Sequence, residues 1–525
     1  TMGDRRSRST TATGDDGGEA AFPRTMTGQF LRTLTATGLV DEDWGKEAID
    51  EIENVANKGH EGDTPEQPPF AKNKLFWKLA VNALVMGLLL GLASVVFINI
   101  IDEVPKIWSD VDTRGGYDFE EEENVGFNDG KWYWVYVTTG AGFLVGSLRV
   151  MMKYPDDLPG FFKEVTDCHV DPTWALPTVL LSAISLGGGA NLGPEQAMGN
   201  LGGGLANILA ERMQLENKED QKLCVLSGMS GAMGALFPTP VLGVLIIHEL
   251  GNPPKSYMES TLLMSIPAIA SFLVLYTLSE YTWIEDLNAN HTLSMHWKFE
   301  KWQCGAAVLM GMVAAGISLI SLLGVGIMKQ LLLRIKMRVD NTKLSGTIFI
   351  CTLGGFLIGL TNYALPLTIG NGHLVSSAIV KGTTSLNPRL LRCSIFGRAF
   401  TMAVSMNCGF VGGFVMPMIS MGLVTGVLCH KQYDDIPLGM AVSCFLAAVP
   451  SAVCPIPYTM MGVSCFVFFL GLQQTVPVFI SCVVAYMCLT GIGVLGALQE
   501  RANKNNAPVE SSFDDEKSLL VGSVD

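Results

Sequence analysis

The apolar runs in this chain come in two lengths, and that contrast limits the fold more than any other feature of the sequence. Leu75 to Ile101, Trp132 to Met152 and residues 258–283 are long enough to span a bilayer, which needs about 20 apolar residues. Long runs also cover 303–328 and 345–361, and the closing runs are 457–474 and 475–498. Between them lie short pieces, at 174–188, 194–211, 221–236 and 240–250, then at 372–381, 387–405, 414–429 and 437–449, which Gly or Pro interrupts. Non-helical backbone is tolerated at membrane depth only where protein or a water-filled cavity covers it. The pattern therefore predicts an all-α polytopic membrane protein with many tilted, broken and re-entrant helices. Only 16% of the residues are charged and 49% are hydrophobic, whereas soluble domains carry about 25% charged residues. A soluble enzyme is excluded on this ground, and no enzymatic motif stands out: GxSxG, P-loop and dinucleotide fingerprints are absent.

The net charge of −14 is not spread evenly. Residues 1–74 carry −5, residues 102–131 carry −7, residues 500–525 carry −3, and the remainder is +1. The chain thus divides into a polar N-terminal tail (1–74), a first transmembrane repeat (75–283), an outer loop (284–300), a second transmembrane repeat (301–500) and an acidic C-terminal tail (501–525). Net acidity argues against nucleic-acid binding through a basic face. Basic residues flank the spans at Lys72, Lys74 and Lys78, at Arg149 and Lys153, from Lys329 to Lys343, and at Arg501 and Lys504. The positive-inside rule puts these on the cytoplasmic side and the loops 102–131 and 284–300 outside. Asn290-His291-Thr292 is a glycosylation sequon in the second of those loops. The 12 cysteines lie almost all in apolar runs without metal spacing, and are read as small buried residues. No metal site or cofactor is expected.

The two halves match at their turns. Gly187-Gly188-Gly189-Ala190-Asn191-Leu192-Gly193-Pro194 opens a helix in the first, and Gly409-Phe410-Val411-Gly412-Gly413-Phe414-Val415-Met416-Pro417 opens one in the second. Phe237-Pro238-Thr239-Pro240 is echoed by Cys454-Pro455-Ile456-Pro457. Opposite starting sides make this an inverted repeat. A helix start presents unpaired N–H groups and partial positive charge, so the starts at 190–194 and 412–417 are placed to converge on one anion without a Lys or Arg.

At these residues the sequence resembles the CLC family of chloride channels and proton-coupled chloride exchangers, over about residues 75–500. Gly412-Gly413-Phe414-Val415-Met416-Pro417 is similar to the family's GxFxP region, and Phe237 to Glu249 resembles the family's equivalent segment. The resemblance implies a homodimer in the lipid bilayer with a separate chloride pore in each subunit, and an anion site formed by Asp156, Leu158, Asn191, Leu192, Gly193, Phe414 and Val415.

Three departures bear on mechanism. Leu192 stands where the family has its gating glutamate, and Asn191 replaces a basic residue. Leu250 aligns with the internal proton-transfer glutamate, next to Glu249. Asp156 aligns with a serine that contacts the central anion, where an ionised carboxylate repels chloride; it is read either as a pore group or, with Asp157, as a cap for the following helix. The family's pore tyrosine has no counterpart in Gly491 to Ala497, and Tyr486 lies too early. Leucine at the gate points to a passive anion channel without proton coupling. The alternatives are an anion/proton exchanger whose acid is relocated to Glu195, Glu249 or Asp156, and a non-conducting CLC-fold subunit. Glu195 is read either as a substitute gate or as an acid favourable to its own helix start. Residues 501–525 are too few for the CBS domains of many eukaryotic members. Asp515 to Leu520 resembles an acidic dileucine signal, and the membrane, whether endosomal, vacuolar, plastid or plasma, is left open.

Overall fold

A computed structural model describes residues 74–108, 127–128, 131–156, 158–237, 239–279, 297–339, 343–372, 376, 379 and 386–491. The tails, most of the acidic segment 102–131 and the sequon at Asn290 lie outside the described residues. Among the described residues all regular structure is helical apart from one isolated pair of bridged residues. The first half contains α1 (Lys74–Trp108), α2 (Tyr133–Met151), α3 (Phe161–Asp167), α4 (Pro172–Gly187), α5 (Glu195–Arg212), α6 (Lys218–Leu236), α7 (Pro240–Leu250) and α8 (Tyr257–Leu278). The second contains α9 (Trp302–Val339), α10 (Lys343–Ala364), α11 (Pro388–Asn407), α12 (Val415–Gln432), α13 (Leu438–Val453), α14 (Pro457–Val467) and α15 (Thr475–Tyr486), which runs on into a π-helical turn, Met487–Gly491.

Helix starts follow local sequence rules. Asp171, Asn217, Thr239 and Asn387 each accept a hydrogen bond from the backbone N–H two residues on, and Pro172, Pro240 and Pro388 follow three of these caps. Lys74–Ile101, Tyr257–Leu278, Trp302–Ile335 and Gly346–Ala364 are long and apolar enough to cross a membrane. The protein is a multi-pass integral membrane protein with an all-α architecture. The spanning helices bear apolar side chains on their outer faces, as at Val85, Leu88, Leu89 and Leu92 of α1.

Lipid tails are as apolar as leucine, so helices in a bilayer associate through close packing more than through hydrophobic burial. The contact of α2 with α10, which joins the two halves, is of this kind. Each carries a small-xxx-small pair, Gly142/Gly146 and Gly355/Gly359. A Cβ at Gly146 would lie 2.9 Å from the Cα of Ile348, and one at Gly359 would lie 2.6 Å from the Cα of Val135. At one end of the pair Trp132 stacks on Tyr363 with ring centroids 4.1 Å apart, and the Asn128 N–H donates to the Ala364 carbonyl at 3.1 Å. Gly140 sits on the same α2 helix but faces open space. Gly359→Leu is expected to destabilise the protein by about 1–3 kcal/mol or more through overpacking, whereas Gly140→Leu is expected to leave it unchanged or slightly more stable. Thermal unfolding of the two variants in detergent tests this, and equal midpoints would show that the glycine seam does not hold the halves together.

Candidate functional site

The Gly-rich turns that open α5 and α12 meet in the interior. The Gly193 N–H donates to the Gly413 carbonyl at 2.7 Å, and the Gly413 N–H donates back to Gly193 at 2.8 Å. Each half supplies one strand residue to this bridge. Side chains lock both turns from behind. The Asn191 N–H donates to Ser405 Oγ at 3.2 Å, and its Nδ2 donates to the Arg398 carbonyl at 2.8 Å and to Thr401 Oγ1 at 2.9 Å. The Val411 N–H donates to Ser185 Oγ at 3.1 Å. Gly189 and Gly409 hold φ of +83° and +91°, left-handed conformations that reverse the chain at the ends of α4 and α11.

Neither helix that leaves this junction is capped by its own N-cap side chain, since Pro194 and Phe414 occupy those positions. The α12 start is served from the other half. Glu195, the first residue of α5, is 2% exposed, and its Oε1 accepts the Val415 N–H at 2.7 Å. Its other carboxylate oxygen is buried without a partner. A Cβ at either Gly193 or Gly413 would collide with this carboxylate. The side chain thus lies across the N-terminus of a helix 220 residues away, over Phe414 and Val415. Phe414 is held by Phe162 of α3, with ring centroids 5.2 Å apart at 25°. Leu192 is buried against Gly412 and carries no polar atom to the site.

Glu249 makes a comparable contact elsewhere. Near the end of α7 it accepts the N–H groups of Tyr458 and Thr459, both at 2.8 Å, and the Thr459 hydroxyl. It caps α14, whose own N-cap residue Ile456 provides no side chain for the purpose. Leu250 is buried, and its carbonyl accepts the Thr166 hydroxyl at 3.4 Å.

Asp156 lies on a different side of the junction. It is 59% exposed and pairs with Arg149 at 2.9 Å. The same guanidinium donates to the Gly409 carbonyl at 2.9 Å and to the Pro155 carbonyl at 3.3 Å, which ties the loop after α2 to the turn after α11. The N-cap of α3 is Gly160, without a side-chain cap, so the Asp156 carboxylate serves Arg149 instead. These residues line a cavity of about 570 Å³ that also touches Leu158, Gln196, Lys329, Phe410 and Gly412. It extends from two cationic side chains to the back of the Gly-rich turn.

Three polar residues of the interior carried no sign of a role in the sequence motifs. Arg149 had served only to orient a span. Glu164 is buried and accepts Asn200 Nδ2 at 2.9 Å. Arg398, in the middle of α11, is fully buried. A charged residue inside an apolar run is the one signal that marks Arg398, whereas Glu164 lies in the mixed stretch Phe161–Asp167, between Lys163 and Asp167, and has no such signal. No cluster of metal-ligating side chains occurs among the described residues.

Comparisons with known proteins agree with this architecture. Residues 162–490 match the family model described as voltage gated chloride channel. The Salmonella typhimurium protein YfeO, named for ion transport, is 23% identical over 382 residues, which cover 70% of this chain and 84% of that one. An uncharacterized protein of Methanocaldococcus jannaschii is 22% identical over 307 residues, 54% of this chain and 73% of that one. Among solved structures, a slow cyanobacterial Cl-/H+ antiporter superposes with a TM-score of 0.63 at 16% identity, covering 82% of this chain and 99% of that chain. A CLC-type fluoride/proton antiporter superposes with a TM-score of 0.55 at 15% identity, covering 81% and 98%. With the family model matched across more than half of its length, through both Gly-rich turns, the chain belongs to the voltage gated chloride channel family.

Proposed function

We propose that this protein exchanges chloride, or a similar small anion, for protons across a membrane, with Glu195 as the proton-carrying acid. One observation carries the reading: the Glu195 carboxylate accepts the Val415 N–H at 2.7 Å, so a negatively charged group of the first half rests on the helix start expected to hold the anion. Leu192, which cannot titrate, gave reason to expect passive flow. A carboxylate three residues further on supplies the missing charge and favours exchange. The solved structures this chain resembles include a Cl-/H+ antiporter and a fluoride/proton antiporter, which supports the same choice.

The mechanism follows from competition for one set of donors. An ionised Glu195 and a free anion both seek the N–H groups at the start of α12. While the carboxylate lies there, the anion is excluded. A proton taken up by Glu195 removes its charge and weakens its hold on the helix dipole, and the anion takes its place. Glycine at 193 and 413 leaves room for either occupant. The cavity beside Arg149 and Lys329 delivers anions from one side, with Asp156 held on Arg149 and away from the turn. The bilayer and a second copy of the chain complete the expected assembly, a homodimer with one pore per subunit.

In liposomes with an imposed chloride gradient, the wild-type protein is expected to drive proton uptake. Glu195→Gln, which keeps shape and removes the titratable group, is expected to reduce that uptake to the rate of empty liposomes while anion flux persists. Wild-type anion flux should rise as pH falls, and E195Q flux should be flat. Unaltered proton coupling in E195Q would overturn the assignment.

Glu249 is read as a structural cap, because both of its oxygens are engaged by α14. Glu249→Gln is expected to cost about 1–3 kcal/mol, seen as a lower unfolding midpoint in detergent, with the proton-to-anion ratio unchanged. A changed ratio at normal stability would instead place Glu249 on the proton route.

A further inference from the structure

Arg398 presents a physical problem that the exchange reaction does not absorb. Arginine stays charged in proteins, and moving an isolated ion out of water costs several kcal/mol unless a counter-charge and hydrogen bonds offset it. The Arg398 side chain is 0% exposed. Its Nη1 donates to Ser420 Oγ at 2.8 Å, but Nε and Nη2 are buried without a partner. The Ser420 hydroxyl donates in turn to the Pro417 carbonyl. No described carboxylate lies within ion-pairing distance of this guanidinium. The stretch of chain around it, residues 341–433, contains no Asp or Glu.

The surroundings nevertheless have the form of a binding site. Gly372, at φ +96°, brings a backbone turn against the guanidinium: a Cβ there would stand 3.0 Å from Nη1. Ser394 lies one helical turn before Arg398 on the same face of α11, and its hydroxyl is also buried without a partner. Two guanidinium nitrogens with three N–H groups, and a free hydroxyl, thus accompany a positive charge that no described carboxylate compensates. Asn191, bonded to the Arg398 carbonyl, ties this part of α11 to the Glu195 junction. Ser420 is five residues beyond Val415, roughly 7.5 Å along α12 at 1.5 Å per residue. Arg398 precedes the Gly409 turn, where the Arg149 cavity ends, by roughly 15 Å of helix.

We propose that Arg398, with Ser420 and Ser394, forms a second, charge-based anion site beside the Glu195 junction, which a small inorganic anion occupies while the Glu195 carboxylate rests on the α12 start. The ion is the counter-charge that no described carboxylate supplies. It forms a waiting position: when Glu195 leaves, an anion is already a helix turn and a half away. This site does not require proton coupling, so it stands or falls apart from the exchange reading.

Bromide is the probe. Crystals of the full-length wild-type protein grown in sodium bromide are expected to show anomalous density about 3–3.5 Å from the free guanidinium nitrogens. Density at the α12 start or in the Arg149 cavity with none at an ordered Arg398 would overturn the proposal. A flux assay gives an independent reading. Arg398→Lys keeps the charge with fewer donors, and Arg398→Gln removes it. The loss of one charged hydrogen-bonding partner is expected to raise the half-saturating bromide concentration about tenfold or more, with Gln exceeding Lys and the proton-to-anion ratio unchanged. An unchanged half-saturation in a folded R398K and R398Q would equally overturn it. If R398Q does not fold, R398K and the wild-type bromide density decide. A loss of coupling in E195Q enters neither readout.

Discussion

A carboxylate from one half of the molecule resting on a helix start of the other is the contact on which the remaining geometry depends. Helix starts need partners for their first N–H groups, and several of the described helices find one locally, in Asp171, Asn217, Thr239 or Asn387. The start of α12 has Phe414 at its N-cap and relies on Glu195. That reach is possible only because Gly193 and Gly413 pair through two backbone hydrogen bonds and carry no side chains. The glycine seam between α2 and α10 then fixes the halves at a separation that permits the bridge. Close packing and the Gly193–Gly413 bridge are thus parts of one arrangement, which accounts for glycine both along helices and in turns.

The division of labour between the halves is electrostatic. Residues 301–499 contain only three acids, Asp340, Asp434 and Asp435. The second half contributes bare helix starts, at Val415 and Tyr458, together with Arg398. The first half contributes the carboxylates that meet two of them, Glu195 and Glu249. Where the first half also places an acid near the Gly-rich turn, at Asp156, it supplies Arg149 seven residues earlier to hold it. A nearly neutral transport body is therefore an average over two unlike parts. Their opposite biases create favourable sites for negative charge along their common boundary.

The class of fold was legible because it depends on period and length: long apolar runs, short broken ones and paired Gly/Pro turns are all local properties. So was the meeting of the turns at 187–194 and 409–417, because each half carries the same signature. The role of Glu195 was not legible to the same degree. An acid in the first turn of a helix has an adequate local explanation in its own macrodipole, and its actual partner, Val415, is 220 residues distant. The family motif drew attention to position 192 instead, where an apolar leucine suggested that no acid was present. Asp156 shows the converse. Its capping and pore readings are both local, whereas its actual partner is Arg149, seven residues earlier across the end of α2. Arg398 was hidden among its neighbours, since the run 387–405 carries three arginines, Arg389, Arg392 and Arg398, and nothing local distinguishes the buried one from the two nearer the helix start.

Glu195 and Glu249 make the same kind of contact with different completeness, and under the proposed exchange the difference separates a moving group from a fixed one. Glu249 has both oxygens engaged, by two backbone N–H groups and a hydroxyl. Moving it would expose three donors at once, each costly to leave unmade in a dry interior. Glu195 has one oxygen on Val415 and the other buried without a partner. Its ionised form gains from the helix start but loses part of that gain through the unsatisfied oxygen. A small anion can replace it on the same donors with less to leave unpaired. A group that must bind and then leave cannot be held by every contact available to it. The unpartnered oxygen of Glu195, which looks like a packing defect in isolation, is on this argument what keeps the carboxylate exchangeable with the ion.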